Sequence, residues 1–264
     1  MGRQGKSRGE RVALTAGTLD ALVLVAAGSA TALACGLGVL PIAVLGRRVA
    51  AYQPALNATA GGLMATASIV GLLMPALEDG AVTPVAAGVA IGVAFLLVTR
   101  RALHAHDVAV AGLSGAGVRR SLLVFVVLLA HSLPEGFAMG TAFVSDREGL
   151  SLFVILAIGL QNIPEGTAVS IPMHEAGFSL HRQFWAAVTT SLPQPLGALV
   201  AFLLVEEVMG LLPLSFGFAA GAMLALVAFD LLPEALRGRS IRQAAFGFVF
   251  GSSLMLLLSW GVGV

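Results

Sequence analysis

A single cysteine, Cys35, stands in the whole chain, so no internal disulfide can form and no cysteine-based zinc site can be assembled. Charge is equally scarce. Asp, Glu, Lys and Arg together make up 11% of the residues, against about 25% in an ordinary soluble domain. So few charges cannot coat a water-soluble globule of 264 residues. The 15 basic and 14 acidic residues nearly cancel, to a net charge of +1, which leaves no electrostatic footprint for nucleic acid. Aromatics are sparse as well, at 6%. What fills the chain instead is apolar: 58% hydrophobic residues, a mean hydropathy of +0.94, and 32 glycines. Glycine in that quantity lets helix backbones approach closely within a membrane. The proportions describe an all-α polytopic membrane protein in contact with a lipid bilayer.

A hydrocarbon core about 30 Å thick takes roughly 20 apolar residues per helical crossing. That ruler predicts eight transmembrane helices, at 19–45, 55–77, 84–103, 121–143, 150–173, 183–205, 211–233 and 243–263. Short polar connections separate them, among them Gly46-Arg47-Arg48, Glu78-Asp79-Gly80 and Glu206-Glu207. The longest gap, about 104–120, holds His104, His106 and Asp107 and reads as a loop. No stretch is long enough to fold by itself in water, so 1–264 is read as one transmembrane domain.

Orientation follows from the distribution of Lys and Arg. With the N-terminus outside, the inside loops hold Arg47, Arg48, Arg100, Arg101, Arg119, Arg120, Arg182, Arg237, Arg239 and Arg242. The outside set holds Arg147 and the tail residues Arg3, Lys6, Arg8 and Arg11. Both termini are therefore expected outside the cytoplasm, in a plasma or inner membrane, although the basic tail pulls the other way. The tail and the run after it also have the pattern of a signal peptide, with Ala32-Leu33-Ala34-Cys35-Gly36 similar to a lipoprotein cleavage site. Against that, the apolar run continues to Leu45 and is long enough to span.

An ionisable residue at bilayer depth costs several kcal/mol unless it is paired, hydrated or bound to an ion. Such residues concentrate in two predicted helices. The fourth contains His131-Ser132-Leu133-Pro134-Glu135-Gly136, and the fifth contains Gln161-Asn162-Ile163-Pro164-Glu165-Gly166. The order is the same in both: polar, polar, apolar, Pro, Glu, Gly. His131 and Glu135 are four apart, as are Gln161 and Glu165, so each pair shares a helix face. Pro134 cannot donate to the carbonyl of Ala130, nor Pro164 to that of Leu160, and both helices are expected to kink there. Gly136 and Gly166 are expected to let the two helices approach one another. One imidazole, two carboxylates and one amide then converge near mid-membrane depth. Two carboxylates neutralise a divalent cation, and the mixed N/O set suits Zn²⁺ first, with Fe²⁺, Mn²⁺, Co²⁺ or Cd²⁺ also served. Either motif alone admits a second reading, a hydrogen bond to a neighbouring helix, which the repetition of the pattern in consecutive helices disfavours.

Other residues admit two readings. Met64 lies on a small-residue helix face and reads as packing. His104 and His106 read as solvated loop residues or, with Asp230 and Glu234 near the inside end of the seventh helix, as an exit path for a cation. His174 and His181 flank a short inside loop. A catalytic zinc helix would need two histidines on one face with a Glu beside the first, and His131 is the only histidine within the predicted crossings. An intramembrane zinc metalloenzyme is thus a rival with little to support it. A passive metal channel is a second rival.

His131-x-x-Pro134-Glu135-Gly136, followed one helix later by Asn162-x-Pro164-Glu165-Gly166, closely resembles the doubled motif of the ZIP (Zrt/Irt-like) family of divalent metal transporters. The resemblance covers essentially the whole chain. It implies uptake of zinc or a similar ion into the cytoplasm, with the metal as transported substrate and no catalytic cofactor. It further implies inverted repeats of helices 1–3 and 6–8 around helices 4 and 5, and a transport site of His131, Glu135, Gln161 and Glu165. Met64 matches the family's second-helix methionine at that site, and Ser191 to Ala198 matches its sixth-helix motif. Where many members build a second metal site, this chain has Ser132, Asn162 and Gln194, none of them anionic. Two adjacent divalent ions sharing only Glu135 and Glu165 would leave about two uncompensated positive charges in a low-dielectric site. A single-metal site is therefore expected, with Gln194 dispensable. The glycine-rich helices permit a homodimer without demanding one.

Overall fold

A computed structural model describes residues 2–78, 82–105, 131–145, 147–237 and 240–264, with the backbone alone at 2–16 and 102–105. Among the described residues all regular structure is helical. In chain order the helices are α1 (Gly2–Gly36), α2 (Val39–Leu45), α3 (Gln53–Ser68), α4 (Met74–Glu78) and α5 (Val82–Ala105). Next come α6, described over 131–144, then α7 (Leu150–Glu175), α8 (Leu180–Thr190) and α9 (Pro193–Glu207). The last three are α10 (Leu212–Leu226), α11 (Leu232–Leu236) and α12 (Ile241–Val262).

Six helical stretches among the described residues are long and apolar enough to cross a membrane: Gly17–Glu78, Val82–Arg101, Leu150–Glu175, Leu180–Glu207, Met209–Leu236 and Ile241–Val262. The first, at 62 residues, is about three times the length one crossing needs. It is interrupted by a turn at Leu37–Gly38 and by a 3₁₀ segment at Gly46–Tyr52, where Gly46 adopts φ +56°. The outward surface agrees with a lipid environment. Trp260, Val44, Phe246, Ile241 and Leu196 stand mostly exposed, an apolar coat that a soluble monomer does not display on this scale. The chain is a multi-pass membrane protein.

Glycine decides how the helices pair. On the α5–α10 seam a Cβ at Gly92 would collide with the carbonyl of Phe218, and one at Gly217 with that of Val85. On the α3–α12 seam Gly62 meets the carbonyl of Phe248, and Gly251 that of Thr59. No other residue allows backbone to lie against backbone so closely, which is how helices associate where no hydrophobic effect drives them together.

Two π-helical turns, Ile69–Leu73 and Val227–Leu231, widen the second and seventh predicted crossings. Met74 N–H bonds to Ile69 O, and Leu232 N–H to Val227 O. In both cases proline comes next, Pro75 and Pro233. A proline ring would clash with the carbonyl four residues back and could not donate to it. The wider turn accommodates that carbonyl. Asp230 lies within the second of these turns.

Loops also meet. Arg147, before α7, binds Glu78 at the end of α4 at 2.6 Å and the carbonyl of Pro75 at 2.7 Å. Gly149 lies beside Val262 and Val264 at the end of the chain. A separate cleft is lined by Ala50, Gln53 and Pro54 together with Glu234, Arg237 and Gln243.

Candidate metal centre

The described part of α6 carries the first motif and α7 the second, and the two deliver their polar side chains to one buried region. His131, Glu135, Gln161, Asn162 and Glu165 are each no more than 5% exposed, and Gln194 of α9 joins them fully buried. Gln161 Nε2 donates to Glu135 Oε1 at 2.8 Å, which ties the two motifs directly. Gln194 Nε2 donates to the other oxygen, Glu135 Oε2, at 2.6 Å. Both oxygens of Glu135 are therefore held by amide hydrogens.

The remaining atoms of the site are in a different state. His131 Nδ1 and Nε2, Gln161 Oε1 and Glu165 Oε1 are buried without a hydrogen-bond partner. A buried polar atom left unpaired costs about 1–3 kcal/mol, and folded proteins rarely leave several together. Four such atoms lie on three side chains, and because the two nitrogens of one imidazole point apart, a single cation would relieve three of them at most. Among the described residues no group of three or more His, Cys, Asp and Glu side chains stands ready to hold a metal ion. Glu135 faces two amide donors instead.

The tightest approach at each motif glycine is to an outer helix. A Cβ on Gly136 would strike the carbonyl of Gln194 on α9, and one on Gly166 the carbonyl of Cys35 on α1. Each glycine seats its metal-motif helix on an outer neighbour, and in doing so brings Gln194 and α1 up to the site.

The other candidates separate. Asp230, from the second π turn, reaches the site: its Oδ2 lies 3.7 Å from His131 Nε2, and its Oδ1 pairs with Arg100 at 3.0 Å. Glu234, one turn on, is exposed and pairs with Arg237 at 3.6 Å. Met64 is fully buried on α3 in the core with Leu63 and Leu72. Ser132 is buried beside His131. His104 is described by its backbone alone, and His106 and Asp107 lie outside the described residues. His174 rests 3.5 Å from Gln183, and His181 lies edge-on to Trp185, both on the α7–α8 corner. Two residues that sequence reasoning gave no site role also come forward: Thr31 of α1, bonded to Gln194 at 2.8 Å, and Arg100 of α5.

Residues 99–259 match the family model described as ZIP Zinc transporter. The chain is 36% identical over 249 residues to the zinc transporter GufA of Myxococcus xanthus, covering 90% of this chain and 96% of that one. It is 31% identical over 288 aligned positions to the zinc transporter ZIPB of Bordetella bronchiseptica, covering 100% of this chain and 92% of that one. A longer protein of Arabidopsis thaliana is 32% identical over 258 residues, which are 97% of this chain and 40% of that protein. The chain therefore spans less than half of that plant relative's length.

Proposed function

Since the chain belongs to the ZIP zinc transporter family, we propose that it carries divalent metal ions, zinc foremost, across the membrane into the cytoplasm. The ion is cargo, held in passage by His131, Glu135, Gln161 and Glu165. The observation that carries this reading is the set of four unpartnered buried atoms on His131, Gln161 and Glu165, gathered around a glutamate that two amides already hold. An imidazole, two carboxylates and an amide oxygen match zinc's N/O preference and offset its charge. The relatives GufA and ZIPB, named as zinc transporters, point to the same cargo.

Eight crossings with both termini outside is the topology we adopt. The 62-residue first stretch is too long for one passage and is broken at Gly46, and the described residues 131–144 of α6 are taken as part of a further crossing. The Arg147–Glu78 pair joins two loops expected on the outside, and the cleft between 50–54 and 234–243 joins two expected inside. Inverted repeats of helices 1–3 and 6–8 draw support from two correspondences. The π turn before Pro75 in the second crossing matches the one before Pro233 in the seventh, with the same offset. The seam of the second with the eighth crossing matches the seam of the seventh with the third.

In this mechanism the ion enters from outside and exchanges its water for the four side chains. It displaces the Gln161 amide from Glu135 Oε1, so that Gln161 turns its oxygen to the ion, and leaves inward past Asp230. Protons compete with metal for the same lone pairs, so acidity on the inside favours release. With Ser132, Asn162 and Gln194 all neutral, the site takes one ion per chain, and Met64 contributes a thioether at its edge. A saturable, steeply temperature-dependent flux distinguishes this carrier from a channel. Equilibrium zinc binding to the purified protein tests the site: one ion per chain is expected, lost in Glu165→Gln. Two ions bound with similar affinity, or unchanged binding in the variant, would contradict it.

A further inference from the structure

Thr31 lies outside the proposed ligand set, yet it bonds both Gln194, which holds Glu135, and Asn162, which pairs with Gln194. Its backbone carbonyl accepts from Asn162 Nδ2 at 2.7 Å. A carbonyl can only accept, so Asn162 must turn its nitrogen toward α1 and its oxygen away. That orientation dictates the next. Asn162 Nδ2 donates to Gln194 Oε1 and Asn162 Oδ1 accepts from Gln194 Nε2, each at 3.1 Å, a reciprocal amide pair that closes in one sense only. The Thr31 hydroxyl adds a second donor to Gln194 Oε1 at 2.8 Å, sharing its hydrogen with the carbonyl of Gly28 at 2.9 Å. Gln194 thus presents nitrogen, and not oxygen, to Glu135 Oε2 at 2.6 Å. Were the Gln194 amide turned over, its oxygen would lie against a carboxylate oxygen at that distance.

We propose that Thr31 is a positioning residue for Glu135, acting through Gln194: α1 sets the sense of the amide pair, and the amide pair aims the carboxylate. This rests on the reading of Glu135 as a metal ligand. It also assigns work to Gln194, which the single-metal expectation set aside as dispensable. Gln194 is the donor that holds Glu135 Oε2 with the ion bound as without it, and so keeps Oε1 aimed at the ion. Outer partners of a metal ligand typically contribute about 10–100-fold in metal affinity.

The test compares Thr31→Val with Thr31→Ser in zinc uptake by proteoliposomes. Valine keeps the shape and loses the hydroxyl, whereas serine keeps the hydroxyl and loses the methyl. The relay predicts that Thr31→Val raises the KM for zinc about 10-fold, the lower end of that range since the backbone carbonyl remains, with the maximal rate near wild type. Thr31→Ser should behave as wild type. A packing role for Thr31 predicts the reverse order, and that result overturns the proposal, as does a wild-type KM in Thr31→Val. Gln194→Met, close in size and without an amide, provides a second arm through zinc binding in detergent. It should weaken affinity by about 10–100-fold, and unchanged affinity there also overturns the relay. Glu135→Ala separates the two layers of the argument. If the wild type takes up zinc and Glu135→Ala equals it, the site reading fails. If Glu135→Ala is dead while Thr31→Val equals wild type, the relay alone fails.

Discussion

The two glutamates of the repeated motif look interchangeable in the sequence and are not so in space. Both oxygens of Glu135 accept amide hydrogens, while Glu165 Oε1 has no partner. The same substitution should therefore do different things. In Glu135→Leu the amide hydrogens of both Gln161 and Gln194 lose their acceptor while buried, at about 1–3 kcal/mol for each group left unpaired. Glu165→Leu strands no donor at Oε1. Both variants should lose zinc binding, but only Glu135→Leu should show a lowered thermal midpoint in detergent, and equal midpoints would refute the asymmetry. At this scale the sequence was informative where a residue was out of place. His131, Glu135 and Glu165 stand out because charge is rare in apolar runs. Thr31 was invisible, because threonine is ordinary in such helices and only folding carries the first crossing to the fifth and sixth. Asp230 was seen as ionisable, but its approach to His131 depends on the π turn that contains it.

Helices were legible as apolar runs, and their irregularities were not. Pro134 and Pro164 drew attention by lying in the motifs, whereas Pro75 and Pro233 lay near predicted helix ends and carried no reading. They act on the turn before them. The first crossing, read as 19–45, is interrupted at Leu37–Gly38 because Gly38 sits against the backbone of Gly166 and Thr167, with no room for a side chain. The glycine seams yield a prediction about stability. Gly92→Val or Gly251→Val must push two backbones apart, and such overpacking costs about 1–3 kcal/mol or more. Both should melt well below wild type in detergent. Gly210→Ala, with nothing within 4 Å of the added carbon, should melt as wild type does. A Gly92→Val variant as stable as Gly210→Ala would mean that the α5–α10 seam is not as close as described.

For the whole molecule, the Arg147–Glu78 bridge and the 50–54 cleft with 234–243 each join segments assigned to one side, and the arginine distribution alone says which side is inside. The lone native cysteine makes this simple to check, because Cys35 is buried. In a Cys35→Ser background, Glu148→Cys should react with a membrane-impermeant maleimide on intact cells, and Ser240→Cys only after permeabilisation. The opposite pattern would invert the topology and with it the direction of transport. The sequence reached the family and the polytopic class because both are written in local composition and a six-residue pattern. It could not reach the pairing of helices or the polar network behind Glu135, which exist only once distant segments meet.

The proposed transport requires cargo to pass through the His131–Glu165 site. The most direct measurement is uptake of radioactive zinc into proteoliposomes by the wild type and by the His131→Ala/Glu165→Ala double variant, each reconstituted at equal density. Saturable uptake by the wild type that is absent from the double variant is the predicted result. Equal uptake by the two proteins, or none by either with no zinc bound, would contradict the assignment of these helices as a metal path.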